Sequence, residues 1–422
     1  MIRWTERVFL FLVFSLGFMQ PGMNISGLHT TLTDAIFLLT LSLFTIAWIS
    51  GKTSLSRDPI HKYLAAFLLA MAVSAAFSIM PRTGVLKLAG VGYLVCLVVL
   101  TINVVRNERM LKSAILVWIT ASTAAALIGA ITVVLFYVDR TSPWHSIFLH
   151  HYGSLPVGNY PRIQSTFLYP AMLCNYLTAG ILLILASFKL GWIKNKPTAF
   201  CLILHGIAAI FTLTPGLGGL VFAIALWVGF MIIEGKRPLY GKIAFAAGSL
   251  VFILSIAVSA FSIRPIATSP FTYDVFGVRI DPTQRLLAWR DAIETFIQHP
   301  LFGKGVGLGV ANVRFQAPSG QMQILTDAHN TFLSIAGQAG ILGSAAFFAL
   351  MISTLRRGLI SRIGEVTKVT NKPISLAMTI AFISGIAFQG MVGSFEDARH
   401  LWVLLGLIVA ASRIDVPAKA DR

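Results

Sequence analysis

The sequence predicts an all-α fold, a polytopic membrane helical bundle of about twelve transmembrane helices. Three observations lead there. Hydrophobic residues make up 56% of the 422 residues and charged residues only 12%, whereas a soluble chain carries about 25% charged residues. Mean hydropathy is +0.80. The apolar residues also gather into runs near the ~20 residues that a lipid-crossing helix needs. A chain this poor in charge cannot cover its own surface with polar groups, so lipid is its main solvent and the domain arithmetic of globular proteins does not apply.

Taken in order, the spans read as Thr5–Met19, Leu32–Ser50, Tyr63–Met80, Val85–Val105, Leu111–Val138, Ser165–Lys189, Pro197–Leu213, Leu217–Ile233, Ile243–Ser262, His329–Leu355, Pro373–Val392 and His400–Ala411. The first and last are short. Arg3 and Arg7 around the start of the first run are also how a signal peptide begins. Phe18-Met19-Gln20-Pro21 offers no small-x-small cleavage site, so this run is read as a retained helix. Residues 1–262 thus carry helices 1–9. Residues 263–328 form one large outer loop containing short helices, and residues 329–422 carry helices 10–12 and a tail.

Basic residues set the orientation. The net charge is +17, but Lys and Arg lie in short clusters between apolar runs, which fits membrane topology signals and not a nucleic-acid surface. With the N-terminus cytoplasmic, the inner connections hold sets such as Lys52, Arg57 and Lys62; Arg106, Arg109 and Lys112; Lys189, Lys194 and Lys196; and Lys236, Arg237 and Lys242. Most outer connections are short and poor in such residues. Both termini are therefore expected in the cytoplasm. Cys96, Cys174 and Cys201 lie inside apolar runs and form no CxxC pair or disulfide framework.

Outer basic residues oppose the insertion bias and need another explanation. They are Arg82, Lys87, Arg140, Arg162, Arg264, Arg279, Arg285, Arg290, Lys304, Arg314 and Arg399. Guanidinium forks match phosphate oxygens, which suggests an anionic ligand such as a lipid-linked phosphate or pyrophosphate. Gly303-Lys304-Gly305 is no nucleotide loop, because neither Ser nor Thr follows the Lys.

Gln284–Ile297 has apolar residues at helical spacing, with Leu286, Trp289, Ile293 and Phe296 or Ile297 on one face. Arg285 and Trp289 are four apart and so can be neighbours. His299-Pro300 ends this helix, and the glycine-rich stretch Gly303–Gly309 turns the chain back toward the membrane. A solvated helix face is the plain alternative for Arg285. Thr326-Asp327-Ala328-His329-Asn330-Thr331 then opens the tenth span. An imidazole at that boundary titrates near neutral pH and can take a proton from a hydroxyl, with Asp327 or Asn330 orienting the ring. The bland alternative is a capping Asp327 followed by an interfacial histidine. Gly337, Gly340 and Gly343 follow at three-residue spacing, which permits close helix packing.

Arg285-x3-Trp289, His299-Pro300-Leu301-Phe302-Gly303-Lys304-Gly305 and Asp327-Ala328-His329-Asn330-Thr331-Phe332-Leu333, with Gly337 and Gly340 after, resemble the signature of the O-antigen ligase and O-antigen polymerase superfamily. Arg162-x2-Ser165-Thr166-Phe167-x2-Pro170 resembles the family's arginine-bearing start of a middle span. The resemblance implies a bacterial inner-membrane glycosyltransferase with its active site facing the periplasm. The donor it implies is an undecaprenyl-pyrophosphate-linked glycan. The acceptor is lipid A–core in ligases, or another lipid-linked repeat unit in polymerases. It implies no cofactor, no metal and no nucleotide sugar. Carried onto this chain, His329 activates the acceptor hydroxyl, Arg285 holds and neutralises the leaving pyrophosphate, and Arg162 is a second phosphate contact. Arg264, Arg279, Arg290, Trp289, Asp327 and Asn330 are further substrate-binding candidates. One departure stands out. Where the family often has Thr-x-Ser-Arg-Gly, this chain reads Leu213-Thr214-Pro215-Gly216-Leu217-Gly218-Gly219, with Leu217 in place of the arginine. Arg162, Arg264 or Arg279 is expected to supply that charge, unless the chain belongs to a divergent branch.

Other signals are weaker. Trp144, His145, His150, His151, Tyr152 and Tyr160 suit an interfacial loop or sugar stacking better than a metal site, since no paired carboxylates accompany them. Glu396, Asp397, Arg399 and His400 read as a local salt-bridge cluster, and Asp34 and Lys87 as snorkelling groups. A transporter or flippase of lipid-linked glycan is the rival from another class, though no repeated halves are visible. A noncatalytic scaffold is a further rival.

Overall fold

The structure, a computed structural model, describes residues 1–20, 22–25, 28–139, 145–151, 161–263, 273–275, 278–316, 322–360, 372–392 and 398–414. Helices occupy all twelve expected segments. In chain order the helices are α1 (Ile2–Ser15), α2 (Leu32–Ile49), α3 (Ile60–Ala76), α4 (Pro81–Val104), α5 (Glu108–Val138), the short α6 (His145–Phe148), α7 (Pro170–Lys189), α8 (Asn195–Ile210), α9 (Gly216–Glu234), α10 (Pro238–Ala260), the loop helix α11 (Gln284–Gln298), α12 (Thr331–Ile360), α13 (Lys372–Val392) and α14 (Arg399–Ile414). Eight of them (α2, α4, α5, α7, α9, α10, α12 and α13) are long and apolar enough to cross a membrane by length and composition. The fold is an all-α, multi-pass membrane bundle.

Local chemistry sets where the helices begin. Proline opens α4, α7 and α10, where its missing N–H costs nothing. The Asn107 side chain accepts from the Met110 amide at 2.9 Å and caps α5. Thr31 and Asp34 form a reciprocal capping box at the start of α2. The sixth span begins at Pro170, not Ser165, because residues 165–169 form a turn held by Ser165 Oγ donating to the Ala125 carbonyl at 2.6 Å.

Packing explains the four shorter helices. α1, α3, α8 and α14 have 14, 17, 16 and 16 residues. Every residue of α14 from His400 to Ala411 is buried, so its environment is other helices more than lipid. α7 and α13 form the centre, with 83% and 78% of their apolar windows inside the protein. α10 is peripheral, with only 22% inside and a lipid-facing remainder.

Two ends of the bundle can be distinguished by their contacts. At one end Asp58 accepts from Arg357 at 2.9 Å and lies 3.8 Å from Arg413, and Lys189 meets Glu234 at 3.5 Å. At the other end Arg399 pairs with Asp34 at 3.0 Å. Asp34 is therefore not a snorkelling group, and Arg399 reaches across to α2. His400 points inward, with Nε2 3.3 Å from Asn175 Oδ1. Glu396 and Asp397 lie outside the described residues. Ion pairs with a buried member are expensive to break, so the Asp58 and Asp34 pairs tie helices distant in sequence.

Short antiparallel strands decorate the second end. β1 (Met23–Ile25) pairs with β2 (Leu28–Thr30), and β3 (Leu149–His151) with β4 (Pro161–Ile163). In the large loop, β5 (Phe261–Ile263), β6 (Tyr273–Val275) and β7 (Val278–Pro282) form a sheet in the order β5-β7-β6. β8 (Val313–Gln316) pairs with β9 (Met322–Leu325).

Candidate active site at one end of the bundle

The large loop is built onto the bundle, not suspended above it. Thr283 starts α11 and anchors it to the end of α10. Its amide donates to the Ala260 carbonyl at 2.8 Å and its Oγ1 to the Ser259 carbonyl at 2.9 Å. Farther along, Thr295 Oγ1 donates to the Val310 carbonyl at 3.0 Å, and Asp291 accepts from the Asn312 amide at 3.0 Å.

The face of α11 that packs is not the one expected. Ala288 and Ala292 are fully buried, while Ile293 and Ile297 are 45% and 68% exposed. Ala288 packs with Ala311 and Val313, and Ala292 with Val310, Ala328 and Leu333. Small side chains let the returning chain approach the helix backbone. Ala328 and Leu333 flank His329, so α11 and the start of α12 share one packed cluster.

Beside it, Arg285 lies near enough for its charge to act on the His329 imidazole. Burial pushes the His329 imidazole below its ordinary value; Asp327 opposes that shift, and the Arg285 charge adds to it. His329 has a left-handed backbone, φ 47°, which is sparsely populated by non-glycine residues and clusters at functional sites. The turn is held by Asp327 Oδ1, which accepts from the His329 amide at 2.8 Å and from Ser334 Oγ at 3.0 Å. Asn330 Oδ1 accepts from the Leu333 amide at 3.1 Å and caps α12. Asp327 and Asn330 thus hold the backbone that presents the imidazole; neither is bonded to its ring. Trp289 lies one turn from Arg285, and its buried Nε1 has no partner among the described residues.

The other arginines are placed differently. Arg162, on β4, donates from Nε to the Thr212 carbonyl at 3.2 Å. That carbonyl lies in the α8–α9 turn, close to Leu217. The turn meets α13, where Ser384 Oγ donates to the Gly219 carbonyl at 2.7 Å. α13 in turn meets the start of α12, where Thr331 Oγ1 donates to the Gln389 carbonyl at 3.4 Å. Arg162 and His329 therefore occupy the same end of the bundle. Ser165 and Leu213, both beside Arg162's contacts, share the left-handed backbone of His329. Arg290 lies on the exposed side of α11, 3.4 Å from Asp291 and 3.8 Å from Glu294. Arg279 lies on β7 opposite Asp274. Arg264 lies outside the described residues, as do Arg140, Trp144, Tyr152 and Tyr160.

The glycine-rich stretch does something the sequence did not suggest. α12 is broken at Gly340, whose φ is 61°. A continuous helix would bond the Ile341 amide to the Gly337 carbonyl and the Leu342 amide to the Gln338 carbonyl. Here the loop takes those places. Lys304 and Gly305 amides donate to the Gly337 and Gln338 carbonyls at 2.8 and 3.1 Å. The Ile341 and Leu342 amides donate to the Pro300 and Leu301 carbonyls at 2.8 and 3.4 Å. An unpaired backbone group in the membrane region costs several kcal/mol, so the break exists only with the loop inserted. Approach is close enough to demand glycine: a Cβ on Gly303 would lie 2.2 Å from Gln338, and one on Gly340 2.4 Å from the Leu301 carbonyl oxygen. Broken helices in transporters offer their freed backbone to substrates; this one gives it to its own loop. The signal was present in the sequence as glycines at 303, 305, 307 and 309 opposite those at 337 and 340.

The architecture is that of a multi-pass membrane protein whose large loop brings a guanidinium to an imidazole at one end of the bundle. Residues 199–348 match the family model described as O-Antigen ligase. That stretch of the chain is thus similar to the O-antigen ligase family. The match runs from α8 through the break in α12 and includes Arg285, the 299–305 stretch and His329; Arg162 lies outside it. Comparison with curated proteins gives no match.

Proposed function

We propose that the protein transfers a glycan from undecaprenyl pyrophosphate to a sugar hydroxyl at the periplasmic face, in the manner of an O-antigen ligase. The observation that carries this reading is the Arg285 charge acting on a partly buried His329 inside the segment that matches the family. Basic residues Arg106, Lys112, Lys189, Arg357 and Arg413 gather at the opposite end of the bundle. By the positive-inside bias that end is cytoplasmic, together with both termini, and His329 faces the periplasm.

In this mechanism an imidazole nitrogen of His329 takes the proton of the acceptor hydroxyl. The acceptor oxygen forms a bond to the anomeric carbon as the bond from that carbon to the pyrophosphate oxygen breaks. The electron pair stays on the pyrophosphate, where the Arg285 guanidinium neutralises it. Attack opposite the leaving group inverts the anomeric centre. The imidazolium then returns its proton to water. A neutral imidazole is what a base requires, and burial favours that form. Arg162 makes the second phosphate contact from β4, beside the α8–α9 turn, and supplies the charge missing at Leu217. Arg264 and Arg279 are further candidates for binding the donor, and the buried Trp289 N–H donates to a substrate oxygen. No step in this scheme calls for a metal or a nucleotide. The acceptor is lipid A–core or another surface glycan.

Purified protein in lipid, given an undecaprenyl-pyrophosphate-linked glycan and an acceptor without ATP or an ion gradient, forms the glycosidic product and releases undecaprenyl pyrophosphate. Movement of the donor between leaflets with no new glycosidic bond would contradict the proposal and indicate a flippase. In a deletion strain, full-length polymer left unattached identifies the ligase, and single repeats on the acceptor identify a polymerase.

A further inference from the structure

The loop inserted into α12 has two side-chain fastenings. Ser74, buried on α3, donates from Oγ to the Gln338 carbonyl at 2.6 Å and accepts from the Val306 amide at 3.1 Å. Gln338 accepts from the Gly307 amide through Oε1 at 3.2 Å. Ser74 and Gln338 thus clamp residues 305–307 from two helices. The clamped stretch is continuous with both halves of the candidate site. Upstream it leads through His299-Pro300 into α11 and Arg285. Downstream, Val310 packs with Ala292 of α11 and with Ala328 beside His329. Phe302 stacks on Phe77 at the end of α3, with ring centroids 4.9 Å apart.

We propose that Ser74 and Gln338 are positioning residues, which hold the 299–307 loop in the break of α12 and so set the separation of Arg285 from His329. The proposal rests on the reading of those two residues as the transfer site. Neither clamp residue reaches substrate: Gln338 lies nine residues into α12 from His329, roughly 13 Å along a helix. They act through the loop. Breaking the clamp leaves the backbone bonds of the splint in place but frees its far side.

Among the described residues, the charged groups that act on His329 are Asp327 on its own turn and Arg285 on α11. α13 meets this end of α12 through Gln389 and through Gly390 against Phe332, which carry no charge. Moving the Arg285 charge away therefore favours the imidazolium, and the pH below which transfer fails moves upward.

The test is Gln338→Ala and Ser74→Ala, with rates referred to the folded, monodisperse fraction in lipid. In each, kcat falls by about 10- to 100-fold, the scale on which remote misplacement slows chemistry, while the donor KM changes less. The acid limb of the pH–rate profile shifts to higher pH, and Ser74→Thr, which keeps the hydroxyl, restores both. A loss of amplitude with an unmoved limb would mean a merely structural role and would overturn the proposal. A second measurement is independent of activity. Spin labels at Ile297→Cys and Thr326→Cys, in protein with the three native cysteines replaced, report the distance from α11 to the His329 turn. It is narrowly distributed with Gln338 and broadens or shifts with Gln338→Ala; an unchanged distribution overturns the clamp. If instead His329→Ala retains full transfer, the transfer-site reading fails and the label distance still decides whether the clamp exists.

Discussion

Replacing His329 with alanine lowers glycan transfer by roughly 10²–10⁴-fold, the usual worth of a positioned general base, with little effect on donor binding. The sign of the pH dependence follows from the site. The base works unprotonated, and burial together with Arg285 outweighs Asp327 and holds the imidazole below its ordinary value of about 6.5. Transfer therefore persists at pH values where an exposed histidine is already charged, and is lost only as pH falls through the lowered value. The His329→Ala protein loses this acid limb altogether. A full rate with an unaltered limb in His329→Ala would remove the residue from the chemistry. The turn itself is expected to survive the substitution, because Asp327 and Asn330 hold it through backbone groups at position 329 and within α12.

Arg285→Ala has an effect of similar size, a fall in kcat of about 10²–10³-fold, the cost of removing one donor that stabilises developing charge. Arg285→Lys keeps the charge without the planar fork, so its rate falls between wild type and alanine. The two variants also separate by pH. Arg285 disfavours the imidazolium, so Arg285→Ala moves the acid limb to higher pH, and Arg285→Lys largely leaves it in place. Steady-state transfer across a pH series with both variants reads out each effect; equal limbs in wild type and Arg285→Ala would show that the two groups do not share a site.

Much of the bundle was legible because lipid penalises charge so heavily. Every apolar segment expected to cross carries a helix, and the differences lie at the ends. Ser165 failed as a helix start because its hydroxyl reaches back to α5. α14 is shorter than the hydrocarbon core, a property that hydropathy alone cannot explain but complete burial does. The buried face of α11 was misread for a related reason. Hydrophobic size pointed to Ile293 and Ile297, whereas close packing selected Ala288 and Ala292. The Asp34–Arg399 pair joins the second helix to the last, a separation that no local pattern carries. The break at Gly340 was hidden because the apolar period continues on both sides of it, and the partners of the opened bonds lie in the preceding loop.

The candidate site was legible to the extent that its residues fall in two short stretches with unusual chemistry for an outer loop, an arginine on a helix and a histidine at a membrane boundary. Their meeting was not, since it depends on Ala292, Val310 and Ala328 packing together. Arg162 illustrates the same point. Its sequence neighbourhood says only that it precedes a span; its bond to the Thr212 carbonyl puts it beside the α8–α9 turn.

A density map of the His329→Ala protein with an undecaprenyl-pyrophosphate-linked glycan trapped in it asks the decisive question. The expected map has the pyrophosphate within hydrogen-bonding reach of Arg285 and the anomeric carbon facing the space vacated at position 329. Pyrophosphate held elsewhere in the bundle, with Arg285 out of reach, would contradict a shared donor site.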